Sequence, residues 1–328
     1  MIRQRMPSAS AIRVARSRPL VAAVAVVAAA HAARGQCVNP FLPTSASTRA
    51  LAMGDANTAG RDDDVIFYGP AQLAVARGTS AAIGRYGEHV TSATLASTAR
   101  IATGGVGVGA SLVTARNGVG CSMVVFTSPG SAVSVPAPLT FSRSLVVVGA
   151  AQTYKRFRVG VAGKYAVRQL GDARTTRGLA DLGVARDISL GDNLPLGLAL
   201  AVQNIGASAA DETALQTPLR AAFGVAGGTP AGPLDIGIAG QLAVERYLDQ
   251  PILRHGRVKA AAGLDVGYTW LDGYSISLRA GVRDAPTMTD LRQLTAGAGL
   301  ALDRVAIDYA LEQLVGSRVA HRVGLRLR

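Results

Sequence analysis

Apolar and polar side chains alternate along most of this chain. In the stretch 257–270, RVKAAAGLDVGYTW, every even position is apolar and every odd position is charged, polar or small. A period of two predicts a β-strand whose two faces lie in unlike surroundings. The pattern returns at 157–168, 234–245 and 304–312, and turn signals such as Asp272-Gly273 separate the segments.

The number and length of these segments predict the fold class. Each has about 9 to 14 residues, the length of a tilted strand that crosses a membrane. About fourteen begin near residues 79, 91, 103, 143, 157, 176, 195, 217, 234, 256, 273, 291, 303 and 318. We therefore predict an all-β fold, a transmembrane antiparallel β-barrel of about 14 strands. A secreted β-sandwich would also alternate, but the strand lengths and the small residues and mixed charges on the polar face favour the barrel.

Two stretches of the predicted barrel stand out. Tyr268, Trp270 and Tyr274 flank one turn, where an interfacial aromatic girdle would lie. The stretch 121–140 is rich in Ser, Pro and Gly, which predicts an extended loop or lid.

The first residues have the layout of an export signal. Arginines without any acidic residue precede a short apolar run that starts at Leu20, and AHA follows at 30–32. This predicts a signal peptide cleaved between Ala32 and Cys37, and an outer-membrane location. A lipoprotein is disfavoured because Arg-Gly-Gln precedes Cys37. The expected organisation is a signal peptide at 1–35, an N-terminal hatch segment at 36–78 and the barrel at 79–328.

Charge and cysteine content narrow the choice of partners. The chain has 34 basic and 21 acidic residues, and removal of 1–35 takes away six arginines and leaves 28 basic residues. The remaining charges are spread out and aromatic residues are few, so no nucleic-acid partner is expected. Cys37 and Cys121 are the only cysteines, and the sequence leaves their pairing open.

Residues 48–74 carry a resemblance to a known family. The stretch TRALAMGDANTAGRDDDVIFYGPAQLA resembles the start of the mature chain in the PorV/PorQ family of outer-membrane proteins, relatives of the FadL-type fatty-acid transporters. Later stretches, GLALAVQNIG and SLRAGVR among them, resemble strands of that family. Two departures are Gly69, where the family has Asn, and the final Arg328, where such barrels end in an aromatic residue.

The resemblance implies a hatch inside or beneath the barrel. Its residues are expected to be Arg49, Met53, Gly54, Asp62, Asp63, Asp64, Phe67, Tyr68, Pro70 and Leu73. Three adjacent carboxylates could instead bind Ca²⁺, but a Ca²⁺ loop places its ligands at alternate positions and ends in Glu. We therefore expect the apolar run to act as a peg and the carboxylates to face arginines of the lumen.

The remaining chemistry gives no sign of catalysis. His89, His255 and His321 stand apart, and no nucleophile or metal-ligand motif occurs. We expect no enzyme activity, cofactor or metal. Six charged residues on the polar strand faces are predicted to face the lumen, pairing across it: Lys164, Asp265, Arg279, Arg283, Asp308 and Arg322.

Two functions remain open at this stage. A PorV-like accessory would receive secreted cargo proteins from a secretion translocon, whereas a FadL-like channel would carry hydrophobic small molecules such as fatty acids. Either would have outer-membrane lipid as its surroundings. The small, polar lumen face and the short chain favour the accessory, and a structural barrel is a third alternative.

Overall fold

The computed structural model describes ten ranges of the chain. They are 45–87, 90–116, 122–128, 131–136, 140–190, 194–206, 217–246, 257–284, 292–314 and 318–327. All of them lie in one compact unit, Gly35–Arg328. The predicted signal peptide and both cysteines lie outside these ranges. No helix within them is long and apolar enough to span a membrane.

Fourteen strands form a closed antiparallel barrel, in which β1 closes on β16. The barrel strands are β1 (Gly78–Tyr86), β2 (Val90–Ile101), β3 (Gly104–Arg116), β6 (Thr140–Tyr154), β7 (Phe157–Leu170), β8 (Ala173–Leu190), β9 (Leu194–Ile205), β10 (Leu219–Ala231), β11 (Leu234–Arg246), β12 (Arg257–Leu271), β13 (Tyr274–Asp284), β14 (Arg292–Leu302), β15 (Val305–Leu314) and β16 (Arg318–Leu327). Every predicted starting point lies within three residues of the observed one. The predicted fold class is therefore confirmed.

The stretch 121–140 is more regular than its composition indicated. It contains β4 (Ser122–Ser128) and β5 (Ser131–Pro136), which form a two-stranded sheet separate from the barrel. The Ser and Pro residues concealed four valines, whose β-branched side chains suit a strand: Val124, Val125, Val133 and Val135. The loop prediction was incomplete, because a β-hairpin occupies most of the connection between β3 and β6.

The two ends of the barrel differ in their connections. At one end, the turn end, consecutive strands are joined by two or three residues, as in Lys155-Arg156 and Asp272-Gly273. The opposite end, the loop end, carries the longer connections, including 117–139 and 206–218. In transmembrane barrels short turns face the periplasm and long loops face the outside.

Alternation sorts the side chains between the two faces of the wall. Outward positions are apolar and exposed, for example Ile83, Leu182 and Leu278. Exposed aromatic residues cluster at the turn end, where Trp270 lies 6.4 Å from Tyr274 between ring centroids. Apolar outward faces with aromatic residues near one rim are the exterior expected of a barrel in lipid.

Residues 45–77, here called the inner segment, lie inside the barrel. They contain α1 (Thr48–Ala52) and two 3₁₀ helices, Val65–Phe67 and Pro70–Ala74. Ser47 caps α1 by accepting a hydrogen bond from the amide of Ala50. Pro70 begins the second 3₁₀ helix, where its fixed φ and missing N–H are tolerated. The α1 helix packs on β13 to β16. The 3₁₀ helix Pro70–Ala74 packs mainly on β3 and β6 to β8.

Candidate functional site: the segment inside the barrel

Apolar packing seats one half of the inner segment. Val65, Ile66 and Leu73 are fully buried, and they pack against Ala96 of β2 and Val147 of β6. The predicted apolar peg thus lies in the lumen, surrounded by strands whose inward residues are small. Burial of such side chains contributes about 1.5–3 kcal/mol each relative to exposure.

Glycines of the wall make room for the backbone of the segment. A Cβ added to Gly160 of β7 would clash with the backbone of Pro70, and one on Gly105 of β3 would clash with the carbonyl of Leu73. On the opposite wall, a Cβ on Gly263 of β12 would lie 2.5 Å from the Cβ of Met53. The inward glycines of the alternating pattern are therefore sockets for this segment.

Gly69, where the resembled family has Asn, also sits in a tight position. A Cβ at Gly69 would lie 2.8 Å from the carbonyl oxygen of Thr58. An Asn side chain could not enter without a shift of the neighbouring backbone. The departure from the family pattern therefore agrees with how this segment folds.

Six charges close a ring on the turn-end side of the segment, here called the six-charge ring. Each member contacts one charge of opposite sign on either side. The distances around the ring are Arg49–Asp62 2.8 Å, Arg49–Asp265 2.9 Å, Asp265–Arg279 3.1 Å, Arg279–Asp308 2.6 Å, Asp308–Arg326 2.6 Å and Arg326–Asp62 3.2 Å. Two members belong to the segment and four to β12, β13, β15 and β16. Alternating, hydrogen-bonded charges are the arrangement in which buried ions are tolerated.

The three adjacent carboxylates differ in environment. Burial would raise the pKa of Asp62, but Arg49 and Arg326 outweigh it and lower that pKa to about 2. Burial, with the neighbouring charges of Asp62 and Asp63, raises the pKa of Asp64 to about 7. Burial also raises the pKa of Asp63. Of these three carboxylates, only Asp62 forms ion pairs with arginines in the described part of the chain, so the expectation that all three face lumen arginines holds for one of them.

A second charged cluster lies on the loop-end side of α1. Arg283 of β13 contacts Asp55 at 3.3 Å and also pairs with Glu312 of β15. Arg322 of β16, which is 1% exposed, donates to the carbonyl of Ala46 at 2.8 Å. This cluster fastens the segment to the same wall as the six-charge ring does.

Tyr68 holds the start of the segment against its middle. Its hydroxyl donates to a carboxylate oxygen of Asp55 at 2.7 Å and accepts from the amides of Ala46 and Ser47 at 3.1 Å. Burial and the nearby carboxylates raise the pKa of Tyr68 well above its usual value. The phenol therefore stays protonated and can act as a fixed donor.

Neutral wall side chains bind the backbone of the segment at separate points. Gln203 of β9 donates to the carbonyl of Phe67 at 3.0 Å. Gln241 of β11 accepts from the amide of Thr58 at 3.2 Å, and Thr295 of β14 accepts from that of Gly54 at 3.0 Å. The segment is thus positioned by sequence-distant contacts around much of the barrel.

The motif Gln203-Asn204 also stabilises an irregular part of the wall. Pairing of β8 with β9 shifts register between Ala180 and Leu182. At this bulge Asp181 accepts the amide of Asn204 at 2.8 Å and pairs with Lys164 at 2.7 Å. Asn204 has a φ of 62°, a left-handed conformation that Asn tolerates better than most residues.

The inner segment separates two cavities. The turn-end cavity has about 550 Å³ and is lined by members of the six-charge ring together with Thr269, Ser275 and Ser277. The loop-end cavity has about 280 Å³ and has Phe67, Tyr68, Arg143, Lys164 and Arg168 in its lining. No described residue lines both cavities. The segment therefore lies as a partition across the lumen.

The structure places the predicted residues as follows. All ten predicted hatch residues lie in the inner segment, and all six predicted lumen residues are 9% exposed or less in the interior: Lys164, Asp265, Arg279, Arg283, Asp308 and Arg322. Five further polar residues that the predicted lumen set did not include are also buried in the interior, although strand parity was an available signal for them: Asp181, Gln203, Gln241, Glu312 and Arg326. Within the described residues no group of His, Cys, Asp and Glu is arranged to hold a metal ion.

Comparisons with known proteins bear on the fold. No family model and no curated protein sequence matches the chain. Among solved structures, the toluene transporter TodX of Pseudomonas putida aligns with a TM-score of 0.56 at 12% identity, over 88% of this chain and 98% of TodX. The toluene transporter TbuX of Ralstonia pickettii aligns with a TM-score of 0.53 at 13% identity, over 88% and 99%.

A third similar structure is the monoaromatic hydrocarbon channel CymD. It aligns with a TM-score of 0.54 at 9% identity, over 86% of this chain and 97% of CymD. The TM-scores show that the fold is shared, and identities this low leave the finer assignment to PorV/PorQ without support.

Proposed function

We propose that this protein is a non-enzymatic channel of the bacterial outer membrane, through which small molecules with an apolar part enter the cell. The inner segment would act as its hatch. The observation that carries the proposal is the partition of the lumen by a segment held through side-chain contacts to many strands. A barrel that serves only as a scaffold has no need of two cavities on either side of such a partition.

The exterior supports placement in a membrane. Its apolar outward faces would be costly in water, and closure of the sheet satisfies every strand edge. Because short turns face the periplasm in such barrels, the turn end would face the periplasm and the loop end would face the outside. The exported chain predicted by the N-terminal sequence fits this location.

The comparisons favour transport over a secretion-accessory role. TodX, TbuX and CymD are described as transporters or channels for toluene or monoaromatic hydrocarbons. Nothing in the described structure points to a secreted cargo protein or a translocon. A hydrophobic small molecule is therefore the proposed partner.

Native mass spectrometry of the protein, extracted from its own membrane in mild detergent, tests the proposal. We expect a retained small hydrophobic molecule. A secreted protein or translocon subunit that co-purifies in its place would overturn the proposal and support the accessory role.

Uptake by intact cells gives an independent test. Cells that lack the protein should take up labelled toluene more slowly than cells in which it is restored, while uptake of a neutral sugar stays the same. Equal toluene uptake in both would contradict the channel.

A further inference from the structure

The outer face of the barrel carries a row of three side chains where β6, β7 and β8 approach the turn end. Tyr154 of β6 lies directly across from Phe157 of β7, and Phe157 lies directly across from Arg186 of β8. Tyr154 and Phe157 are exposed, and Arg186 has the strand parity of Val184, an exposed outward residue. All three therefore face outward, away from the lumen.

Two cations lie against the rings of this row. The Cζ atom of Arg186 is 5.3 Å from the ring centroid of Phe157, and the Nζ atom of Lys155 is 5.4 Å from that of Tyr154. Both distances suit a cation–π contact, which extends to about 6 Å. Arg156, beside Lys155 in the β6–β7 turn, is exposed as well. These five residues, Tyr154, Lys155, Arg156, Phe157 and Arg186, are here called the basic patch.

The three cations of the basic patch have no acidic partner within the ranges that the structure describes. Asp187, next to Arg186 along β8, has the opposite strand parity, and it pairs with Arg158 and Arg61 instead. The cost of an arginine on the lipid face of a barrel falls toward the membrane interface, where lipid phosphates are within its reach. The patch therefore has a positive charge that an anion from its surroundings can balance.

A second aromatic patch at the same end has a different charge. Trp270 and Tyr274 flank the turn that holds Asp272, and the neighbouring turn holds Asp303 and Arg304. Two carboxylates and one guanidinium lie there, against three cations and no carboxylate in the basic patch. An aromatic girdle alone requires no such difference, so the basic patch has a feature beyond it.

A phospholipid fits both the charge and the surface of the basic patch. Stacking on Phe157 covers one face of the Arg186 guanidinium and leaves its terminal N–H groups, which lie in the plane of the group, for an anion. Phosphate oxygens accept such donors in short, charge-assisted hydrogen bonds. The acyl chains of the same molecule would lie along exposed apolar residues of β7 and β8, namely Val159, Val161 and Val184. A soluble anion would match only the charge.

We infer that the basic patch binds the phosphate headgroup of an anionic phospholipid in the membrane leaflet at the turn end. The inference rests on the membrane placement that is part of the proposed function, and it is independent of what passes through the lumen. It assigns a fixed lipid neighbour to one sector of the outer wall, β6 to β8.

Quenching of tryptophan fluorescence by brominated lipids tests this inference in reconstituted bilayers. Trp270 is the only tryptophan, so the natural protein reports on the second patch, and the reporter variant Tyr154→Trp/Trp270→Phe reports on the basic patch. Each protein is placed in phosphatidylcholine vesicles that contain the same fraction of brominated phosphatidylglycerol or brominated phosphatidylcholine. We expect the brominated phosphatidylglycerol to quench the reporter variant at least about twofold more strongly than the brominated phosphatidylcholine. The two lipids should quench the natural protein equally.

Removal of the charges should abolish this difference. The reporter variant that also carries Lys155→Gln, Arg156→Gln and Arg186→Gln should be quenched equally by the two lipids. If this combination does not insert into vesicles, Arg186→Gln alone should reduce the preference by at least about half, because it removes the guanidinium that lies on Phe157.

A matched control removes the same net charge from exposed positions outside the basic patch. The reporter variant with Arg100→Gln, Arg174→Gln and Arg304→Gln should keep the full preference for phosphatidylglycerol. Inorganic phosphate, compared with sodium chloride at the same ionic strength, should also leave the preference unchanged, since screening is then equal and free phosphate has no acyl chains.

Equal quenching of the reporter variant by the two lipids would overturn the inference, as would a preference that survives loss of the three charges or disappears in the matched control. Displacement of the lipid by inorganic phosphate would show a site for the free anion and would also overturn it. None of these results alters toluene uptake by cells, so failure of the lipid site is distinguishable from failure of the channel.

Discussion

The inner segment is held in two different ways by the two sides of the barrel. Toward β12–β16 it is held by ion pairs of the six-charge ring and the Arg283 cluster, in addition to apolar packing of Leu51 and Ala52 on Ala310. Toward β2–β8 its contacts are mainly apolar, with alanine, valine and glycine beneath the two 3₁₀ helices and one exposed pair, Arg61–Asp187, at the rim. Apolar packing depends on shape alone, whereas charge pairs depend also on the ionisation of each partner. The same segment can therefore respond to chemical conditions on one side and remain seated on the other.

Removal of one ring member tests the ionic side and should have the largest effect. Arg279→Leu leaves Asp265 and Asp308 buried with one fewer cation each. We expect it to lower the free energy of unfolding by about 3–5 kcal/mol, because the ring then holds three buried carboxylates and only two arginines, and an uncompensated buried charge is strongly destabilising. Guanidinium unfolding in detergent, followed by the fluorescence of Trp270, the only tryptophan, measures this change. Arg304→Leu, in an exposed turn, should change it little, and equal losses in the two variants would contradict the role of the ring.

Filling one glycine socket tests the apolar side. Gly160→Leu places a side chain against the backbone of Pro70, which cannot move aside as a flexible side chain would. We expect a loss of about 2–3 kcal/mol, typical of overpacking. Gly163→Leu, three residues along the same strand, faces outward with no atom within 4 Å of its added Cβ. If this control is as destabilising as Gly160→Leu, strand propensity and not the segment explains the effect.

The carboxylates of the segment should respond to pH in opposite directions. The folded-state pKa of Asp64 is raised, so its protonated form favours the folded state. The contribution of Asp64 to the free energy of unfolding therefore falls as the pH rises from about 4 to about 7. Asp64→Asn should therefore raise the unfolding free energy at pH 7.5 by about 1–2 kcal/mol and flatten its slope in that window. The pKa of Asp62 is lowered, so its contribution is present above about pH 4 and is lost towards pH 2.

The neighbouring variant Asp62→Asn serves as the paired measurement. It should lower the unfolding free energy at pH 7.5, and the difference from the natural protein should disappear only near pH 2. Thermal melts at pH 4, 6 and 7.5 distinguish the two variants. Shifts of the same sign at pH 7.5 would show that the environments of the two carboxylates do not differ as described.

Strand parity made much of the interior predictable from the sequence. Because alternate residues of a strand face opposite sides, Lys164, Asp265 and Arg322 could be placed on the lumen face before the structure was known. The pairs they form could not be foreseen, since they depend on strand stagger and on residues as distant as Asp62 and Arg326. The same limit applies to Gly160, whose neighbour Pro70 lies ninety positions earlier.

The composition of 121–140 shows another limit. Ser, Pro and Gly make up eight of its twenty residues, which favours a loop, but β4 and β5 depend on the order of the residues. Likewise, three adjacent aspartates carry no sign in the sequence that one binds arginines while another is buried beside two carboxylates. Environment, and not residue type, separates them.

The contacts of β16 with the inner segment have a consequence for the order of assembly. Arg322 and Arg326, on the last strand, bind Ala46 and Asp62, near the beginning of the described chain. The same strand supplies the seam with β1 that closes the sheet. Closure of the barrel and these two anchors of the inner segment therefore require the same strand, and a nascent barrel that lacks β16 would be open along its side and without either anchor.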